Sequence, residues 1–420
     1  MNLYSTVRFI LIGFTILILG ALVGWYIFLR TQHSAQTTVA VGRGLGDTAP
    51  SFSGAMGSNY QNSLATITNG SSSKNQTVPR VQGDIGHVSE TEVAGFGFVT
   101  GVASTTSLYF VERATGYVFS SDIRTGGTSR ISGVLTPKIY EALVARDGSV
   151  IERYPSEKGG VETVIIAPPA APGAVARRML LQQNISPLAL SPEGVVVYGT
   201  RTATLTTLWS TNVRLTKAQI IFQSPIASWD VVALGDGRIV LTEKAADAVS
   251  GHSYILDKKG ALSPLVSTQP GLTVLAQSSS TALLYTTSSQ GKVGMYVKAN
   301  GTTDALPVPL STVSEKCAWT PASPSVKKPA TSTPSAVYCA VPDSLLSPHF
   351  LDSWYRGEIH TTDSIWRIDP TTGTATKITV EWPRGVTPPD VINPYIDSTG
   401  TYLAFKDARD QSLWVLRLQK

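Results

Sequence analysis

One stretch concentrates side chains able to do chemistry: Asp352, Trp354, Tyr355, Arg356, Glu358, His360 and Asp363, seven polar or aromatic residues within twelve positions. Tyr, Trp and Arg are the types most enriched at binding hot spots. Asp352, Trp354, Tyr355, Arg356, Glu358 and His360 are therefore the candidate binding residues. Asp352 and Glu358 would also suit the acid and base of a glycosidase, but that chemistry depends on a carboxylate separation that spacing along the chain does not set. The competing reading is structural: Trp354 and Tyr355 plug under the sheet that carries them while Arg356 pairs with Glu358.

Other familiar chemistries find little support. The five histidines, His33, His87, His252, His349 and His360, are far apart and form neither an HExxH motif nor a Cys/His ligand pattern, so no metal site is assigned. No G-x-S-x-G nucleophile elbow is present, which weakens a propeller-type peptidase. Gly95, Gly97 and Gly101 imitate a dinucleotide fingerprint but lie among strand residues with no following helix, and the Gly42 to Gly46 cluster has no preceding strand. No catalytic residue and no cofactor is assigned. The net charge of +5 is modest and the basic residues are scattered, which argues against a nucleic-acid partner.

The candidate cluster lies just before SIWRIDPTTGTATKIT from Ser364, an alternating strand, a polar turn and a second strand. The same unit recurs at Tyr117 (YVFSSDIRTGGTSRIS), Leu208 (LWSTNVRLTKAQIIF), Ser253 (SYILDKKGALSPLVS), Met295 (MYVKANGTTDALPVP) and, truncated, at Ser412 (SLWVLRL). Period-two alternation around Gly, Asn or Asp is a strong hairpin signal. A second hairpin generally precedes each copy, with turns at Gly148, Gly194, Gly237 and Ser280, at spacings of 46, 43 and 43 residues. Four-stranded propeller blades repeat at about this period. The next such turn, at Gly400, follows after 120 residues, which fits two blades plus an insertion.

The insertion is AWTPASPSVKKPATSTPSAVY, residues 318–338, between Cys317 and Cys339. Both cysteines lie in apolar strands and everything between is loop-like, so a disulfide at the neck is expected, with Cα atoms about 4.4 to 6.8 Å apart. Two buried free thiols are the alternative. Blades are expected at 92–132, 139–167, 187–222, 229–267, 272–309, 315–379 and 392–418, an all-β, seven-bladed β-propeller over residues 83–420, with six or eight blades as alternatives. The last unit lacks a fourth strand; Gly83 to Ser89 should supply it by pairing with Leu413 to Leu418, closing the ring.

Two segments precede this body. Phe9 to Leu29 carries no charge, and 21 helical residues span about 31 Å, so residues 1–30 read as a transmembrane signal anchor. Bulky Trp25, Tyr26, Ile27 and Phe28 extend the run beyond the apolar region of a cleaved signal peptide. Residues 31–82, rich in Ser, Thr, Gly, Asn and Gln, read as a flexible linker with a reach of about 40 Å. Arg8 on one side and Arg30 and Arg43 on the other nearly balance the charge rule for orientation; the cysteine pair favours an oxidising, extracytoplasmic side.

With YFVERATGYVFSSD from Tyr109, SPEG at Ser191, the CAW and YCAVP pair, and DSWYRGEIHTTDSIWRID from Asp352 in view, the body resembles a TolB-like or WD40-like β-propeller, and the whole chain resembles bacterial single-pass membrane proteins that carry such a propeller outside the membrane. The strict GH and WD dipeptides of WD40 repeats are absent. The resemblance implies a fold and a location, and brings no catalytic residues. Together these readings lead to a membrane-tethered extracytoplasmic scaffold at the cell envelope, with a protein or envelope component as partner; enzymatic activity is left open, with a non-enzymatic role favoured. The alternative is a hydrolase with its site in the central funnel, which inward-facing carboxylates would favour.

Overall fold

The computed structural model describes residues 85–100, 106–168, 176–214, 216–278, 280–321 and 335–418. The expected anchor at 1–30 and linker at 31–82 lie outside the described residues. Among those described, no helix is long and apolar enough to cross a membrane.

Alternating Val, Ile, Thr, Phe and Tyr residues form short strands broken by Gly, Asp and Pro turns. β1 (Ile85–Ser89) comes first. Blade 1 follows with β2 (Val93–Thr100), β3 (Thr106–Glu112), β4 (Val118–Ser121) and β5 (Thr128–Arg130), and blade 2 with β6 (Glu141–Val144), β7 (Val150–Pro155), β8 (Val161–Ala167) and β9 (Arg177–Leu180). Blade 3 holds β10 (Leu188–Leu190), β11 (Val195–Arg201), β12 (Thr206–Asn212) and β13 (Gln219–Ser224); blade 4 holds β14 (Trp229–Ala233), β15 (Ile239–Glu243), β16 (Ser250–Leu256) and β17 (Leu262–Pro270). Blade 5 comprises β18 (Thr273–Ala276), β19 (Leu283–Ser289), β20 (Lys292–Lys298) and β21 (Leu306–Val308). Blade 6 comprises β22 (Cys317–Trp319), β23 (Val337–Pro342), β24 (Asp363–Ile368) and β25 (Ala375–Lys377), and blade 7 ends the chain with β26 (Val391–Ile396), β27 (Tyr402–Asp407) and β28 (Leu413–Arg417).

Each blade is a four-stranded antiparallel sheet, seven in all, and β1 is the outermost strand of the seventh. Ile85 pairs with Leu416 and His87 with Trp414, so the first and last described strands share one sheet, as the sequence predicts. The expected limits hold in most blades. In blade 2 they stop too early: Pro168, Pro169 and Pro172 interrupt the alternation, and the fourth strand resumes at Arg177.

The core is divided into layers between neighbouring blades. Val196 and Tyr198 of blade 3 pack on Ile151 and Ile165 of blade 2. Met295 and Val297 of blade 5 meet Val337 and Cys339 of blade 6. Val88 and Val415 of blade 7 pack on Phe98 and Leu108 of blade 1, so the ring closes by the same hydrophobic contact that joins its other members. Lys406 adds a polar staple there: its ammonium donates to the Val93 carbonyl at 3.2 Å and to Gln411 Oε1 at 3.1 Å, and burial pulls its pKa down to about 8.

Glycines mark the tightest geometry. Gly148, Gly194 and Gly237 take φ of +84°, +83° and +83° in equivalent first turns, a conformation that costs a glycine nothing. Gly95 serves close approach instead: a Cβ there would stand 1.7 Å from the Ala142 carbonyl oxygen of the next blade. The two described glycines of the apparent dinucleotide fingerprint, Gly95 and Gly97, are thus strand residues where blades 1 and 2 crowd together.

Cys317 and Cys339 are directly opposed across β22 and β23 and form a disulfide. Their Cα atoms are 4.0 Å apart, below the expected window, because they are facing partners on adjacent antiparallel strands, where spacing falls to about 4.5 Å.

Glu152 of β7 is a buried carboxyl group facing blade 1. It is 2% exposed, one carboxylate oxygen has no partner, and burial pushes its pKa up to about 7 against the pull of Arg178 and a Thr136 hydrogen bond. Between about pH 4.5 and 7 the folded state holds a proton that the unfolded chain releases, so stability falls as pH rises through that window. Glu152→Gln should flatten this part of the profile and stabilise the protein at pH 8 by up to roughly 2 to 3 kcal/mol. Urea melts at pH 5 and pH 8 measure this; an unchanged pH dependence would refute the assignment.

Candidate functional site

The candidate cluster lies on the connection between β23 and β24, which is long enough to fold on its own account. Residues Phe350–Tyr355 form α1, the one α-helix among the described residues. Its apolar side is Phe350, Leu351 and Trp354, packed with Val313 and Ile392. Ser353, Arg356, Glu358 and His360 lie on or beside the outer side. Connections between second and third strands emerge at the same end of the ring as those from each outermost strand to the next innermost one, so α1 sits over the residues that lead into β14, β18, β22 and β26.

A buried ion network lies directly beneath. Lys316, at the end of a 3₁₀ turn leading into β22, is fully buried. Its ammonium donates to Asp363, to Asp390 Oδ1 at 2.8 Å and to Thr361 Oγ1 at 2.8 Å, and stands 5.3 Å from the centre of the Trp354 ring. Asp390 Oδ1 also accepts from Thr361 at 2.9 Å and from the Trp354 indole at 3.2 Å, while Oδ2 lies 3.1 Å from His360 Nδ1. Asp363 Oδ2 accepts the Val391 N–H at 2.8 Å. Burial raises the pKa of Asp363, opposed by Lys316. A buried cation between two carboxylates is tolerable only with dense hydrogen bonding of this kind, and here Asp363 Oδ1 alone of the four carboxylate oxygens has no partner.

A second set of groups faces the interior of the ring. The Tyr355 hydroxyl donates to Glu315, and Asp230 of β14 lies near enough to interact with both. Burial is the main cause that raises Glu315, and it pushes Asp230 up to about 7, with the charge of Glu315 adding to the effect. Both side chains keep partial contact with solvent although protein surrounds them, as expected of groups bordering an interior space. Tyr355 is driven well above its usual range by burial and the same two carboxylates.

The six candidate residues therefore divide. Trp354 and His360 converge on Asp390, and Tyr355 reaches Glu315. Asp352 accepts the Asp247 backbone N–H at 2.9 Å, tying the connection to blade 4. Arg356 and Glu358 pair in the bidentate manner, at 2.6 and 2.9 Å, on the exposed surface. Lys316, Asp390, Glu315 and Asp230 escape sequence reasoning because they stand up to 125 positions from the helix. The available signal was a charged pair, Glu315 and Lys316, immediately before the apolar strand at Cys317. Among the described residues no group of three or more His, Cys, Asp or Glu side chains is arranged to hold a metal.

No family model matches the sequence, and no curated protein matches it either. Solved structures do resemble the fold. Oligogalacturonate lyase from Vibrio parahaemolyticus aligns with a TM-score of 0.50 at 9% identity, over 83% of this chain and 96% of the lyase. Virginiamycin B lyase from Staphylococcus aureus gives 0.48 at 11% identity over 79% and 96%, and a β-propeller domain from Myceliophteria thermophila gives 0.49 at 10% over 80% and 100%. At these identities the likeness is one of fold alone.

Proposed function

We propose that the protein is an interaction scaffold at the cell envelope, a seven-bladed propeller held on the extracytoplasmic side by residues 1–30 and spaced from the membrane by residues 31–82. The observation that carries this reading is the form of the β23–β24 connection. Its inner side is fixed by the Lys316 network and the Glu315–Tyr355 contact, and its outer side presents Ser353, Arg356, Glu358 and His360 on a rigid base. Preorganised side chains of this kind lose little entropy when a partner docks. The chemically active groups are largely occupied in holding α1 down, which favours display over turnover.

The partner on this reading is a protein or another envelope component that meets the Arg356–Glu358 pair. Crosslinking in membranes followed by pull-down should recover a reproducible partner with the wild type, and at least about tenfold less with the double variant Arg356→Glu, Glu358→Lys, since a rearranged charge pair at a docked surface opposes association. Recovery of the chain alone under several crosslinkers would overturn the reading.

A second reading is favoured by Asp230 and Glu315, two carboxyl groups with raised pKa values bordering the ring interior beside a phenol. Perturbed carboxyl pairs are a mark of acid and base catalysis. On this reading the protein is a hydrolase with its site in the central funnel. Hydrolysis of an oligosaccharide or peptide panel by the wild type and its loss in Asp230→Asn would establish it; turnover unchanged by that substitution would remove Asp230 from it.

A further inference from the structure

We propose that the outer rim where blades 1 and 2 meet is a docking face for an anionic lipid bilayer, an inference that rests on the membrane-anchor reading above. Four of the nine most exposed large apolar side chains among the described residues collect there: Leu135 and Leu180, each 58% exposed, and Ile131 and Val134, each 48%. They come from two segments that the fold brings together. The first, residues 129–138, runs from β5 along blade 1, with the Ile131 N–H donating to the Val118 carbonyl and the Thr136 N–H to the Thr115 carbonyl. The second is β9. Leu180 pairs with Val164, Val164 pairs with Glu152, and Thr136 hydrogen-bonds the Glu152 carboxyl, so the two segments share one face of blade 2.

The exposed charge on this face is mainly basic. Arg130, Lys138 and Arg178 are exposed, and neither 129–138 nor 176–183 contains an acidic residue, while Arg177, the neighbour of Arg178 on β9, points to the opposite face of the strand. Two carboxyl groups share the face: Glu152 is buried beneath the rim, and the half-buried Glu162 accepts the Ser156 hydroxyl at 2.7 Å. Arg130 lies over the Tyr117 ring at 4.6 Å, which orients its guanidinium along the surface. Apolar side chains set among basic ones match the two components of an anionic bilayer surface, an acyl boundary and a layer of negative headgroups. β1 belongs to blade 7, the neighbour of blade 1, and on the linker reading of residues 31–82 a reach of about 40 Å would let either end of the rim meet the membrane.

The test uses the full-length chain in nanodiscs of phosphatidylcholine alone and of an equimolar mixture with phosphatidylglycerol. Amide exchange in 129–138 and 176–183 should slow at least about fivefold in the anionic discs, roughly the contribution of one basic side chain near such a surface. High salt should reverse the slowing, and the outer strands of blades 4 and 5 should not change. Equal exchange in the two lipids would overturn the proposal, as would protection produced by an acidic protein and not by lipid. The variant R130E/K138E/R178E should lose the difference; if it fails to fold, the wild-type lipid and salt comparison still decides. Failure of the anchor is separately visible as failure to enter discs at all, and the rim is then tested by flotation with vesicles of the same mixture, where no binding overturns it.

Discussion

Lys316→Met is expected to destabilise the protein by about 3 to 5 kcal/mol, the cost of leaving buried carboxylates without their cation. Lys316 is the common partner of Asp363, Asp390 and Thr361, and both carboxylates are fully buried, so solvent cannot replace the ammonium. The effect should be strongly non-additive. Lys316→Met combined with Asp363→Asn and Asp390→Asn removes the charges together and should regain much of the loss, because the penalty lies in the uncompensated charge and not in the absent pair. Denaturant melts of the single and triple variants measure both quantities. A single variant within about 1 kcal/mol of the wild type would mean that the carboxylates are neutral or hydrated, and the network would lose its assigned role. Hydrogen exchange of α1 provides a local readout, since Trp354 donates to the same Asp390.

The second large effect is expected from the disulfide. Replacing Cys317 and Cys339 by alanine frees a loop with a sequence separation of 22, and the chain-entropy relation assigns about 3.4 kcal/mol to that closure. The variant should melt lower than the wild type in oxidising buffer and match it once the wild type is reduced. A difference that persists under reduction would trace the loss to packing of the two side chains between blades 5 and 6. The enclosed loop itself should be dispensable, because loop length costs only about 0.6 kcal/mol per doubling. The register constrains how it is removed: Thr320 and Ala336 are hydrogen-bonded at the neck, so residues 321–334 must be replaced by a short turn such as Asn-Gly and not simply excised.

The disulfide also bears on location, since such a bond persists in oxidising compartments. It supports the extracytoplasmic side of the proposed topology without depending on the near-balanced charges around Phe9 to Leu29. Labelling of single cysteines engineered into residues 31–82 of the Cys317→Ala, Cys339→Ala background, from outside intact cells, reads that topology directly.

The architecture was legible in the sequence because a propeller blade is specified locally. Each hairpin is set by period-two alternation and by a turn residue such as Gly148 or Gly194, and the repeat length counts the blades. Closure is legible too: the strand at Leu413 to Arg417 lacks an outer neighbour in sequence, and an unassigned alternating segment stands just before the first blade. The disulfide followed from two cysteines at the neck of a loop. The outer strand of blade 2 is not legible in the sequence, because Pro168, Pro169 and Pro172 interrupt the alternation before it resumes at Arg177. What only the tertiary structure decided is the meeting of distant charges. Asp352 to His360 reads as one polar cluster in one dimension, yet Trp354 turns inward to Asp390, Tyr355 to Glu315 and Arg356 outward. Ring closure places the strand beginnings at 230, 315 and 390 side by side, and it is burial at that junction that forces Lys316 to be paired and drives Asp230 toward neutrality. Neither proximity nor burial is encoded in spacing, and the energy of a buried charge depends on both.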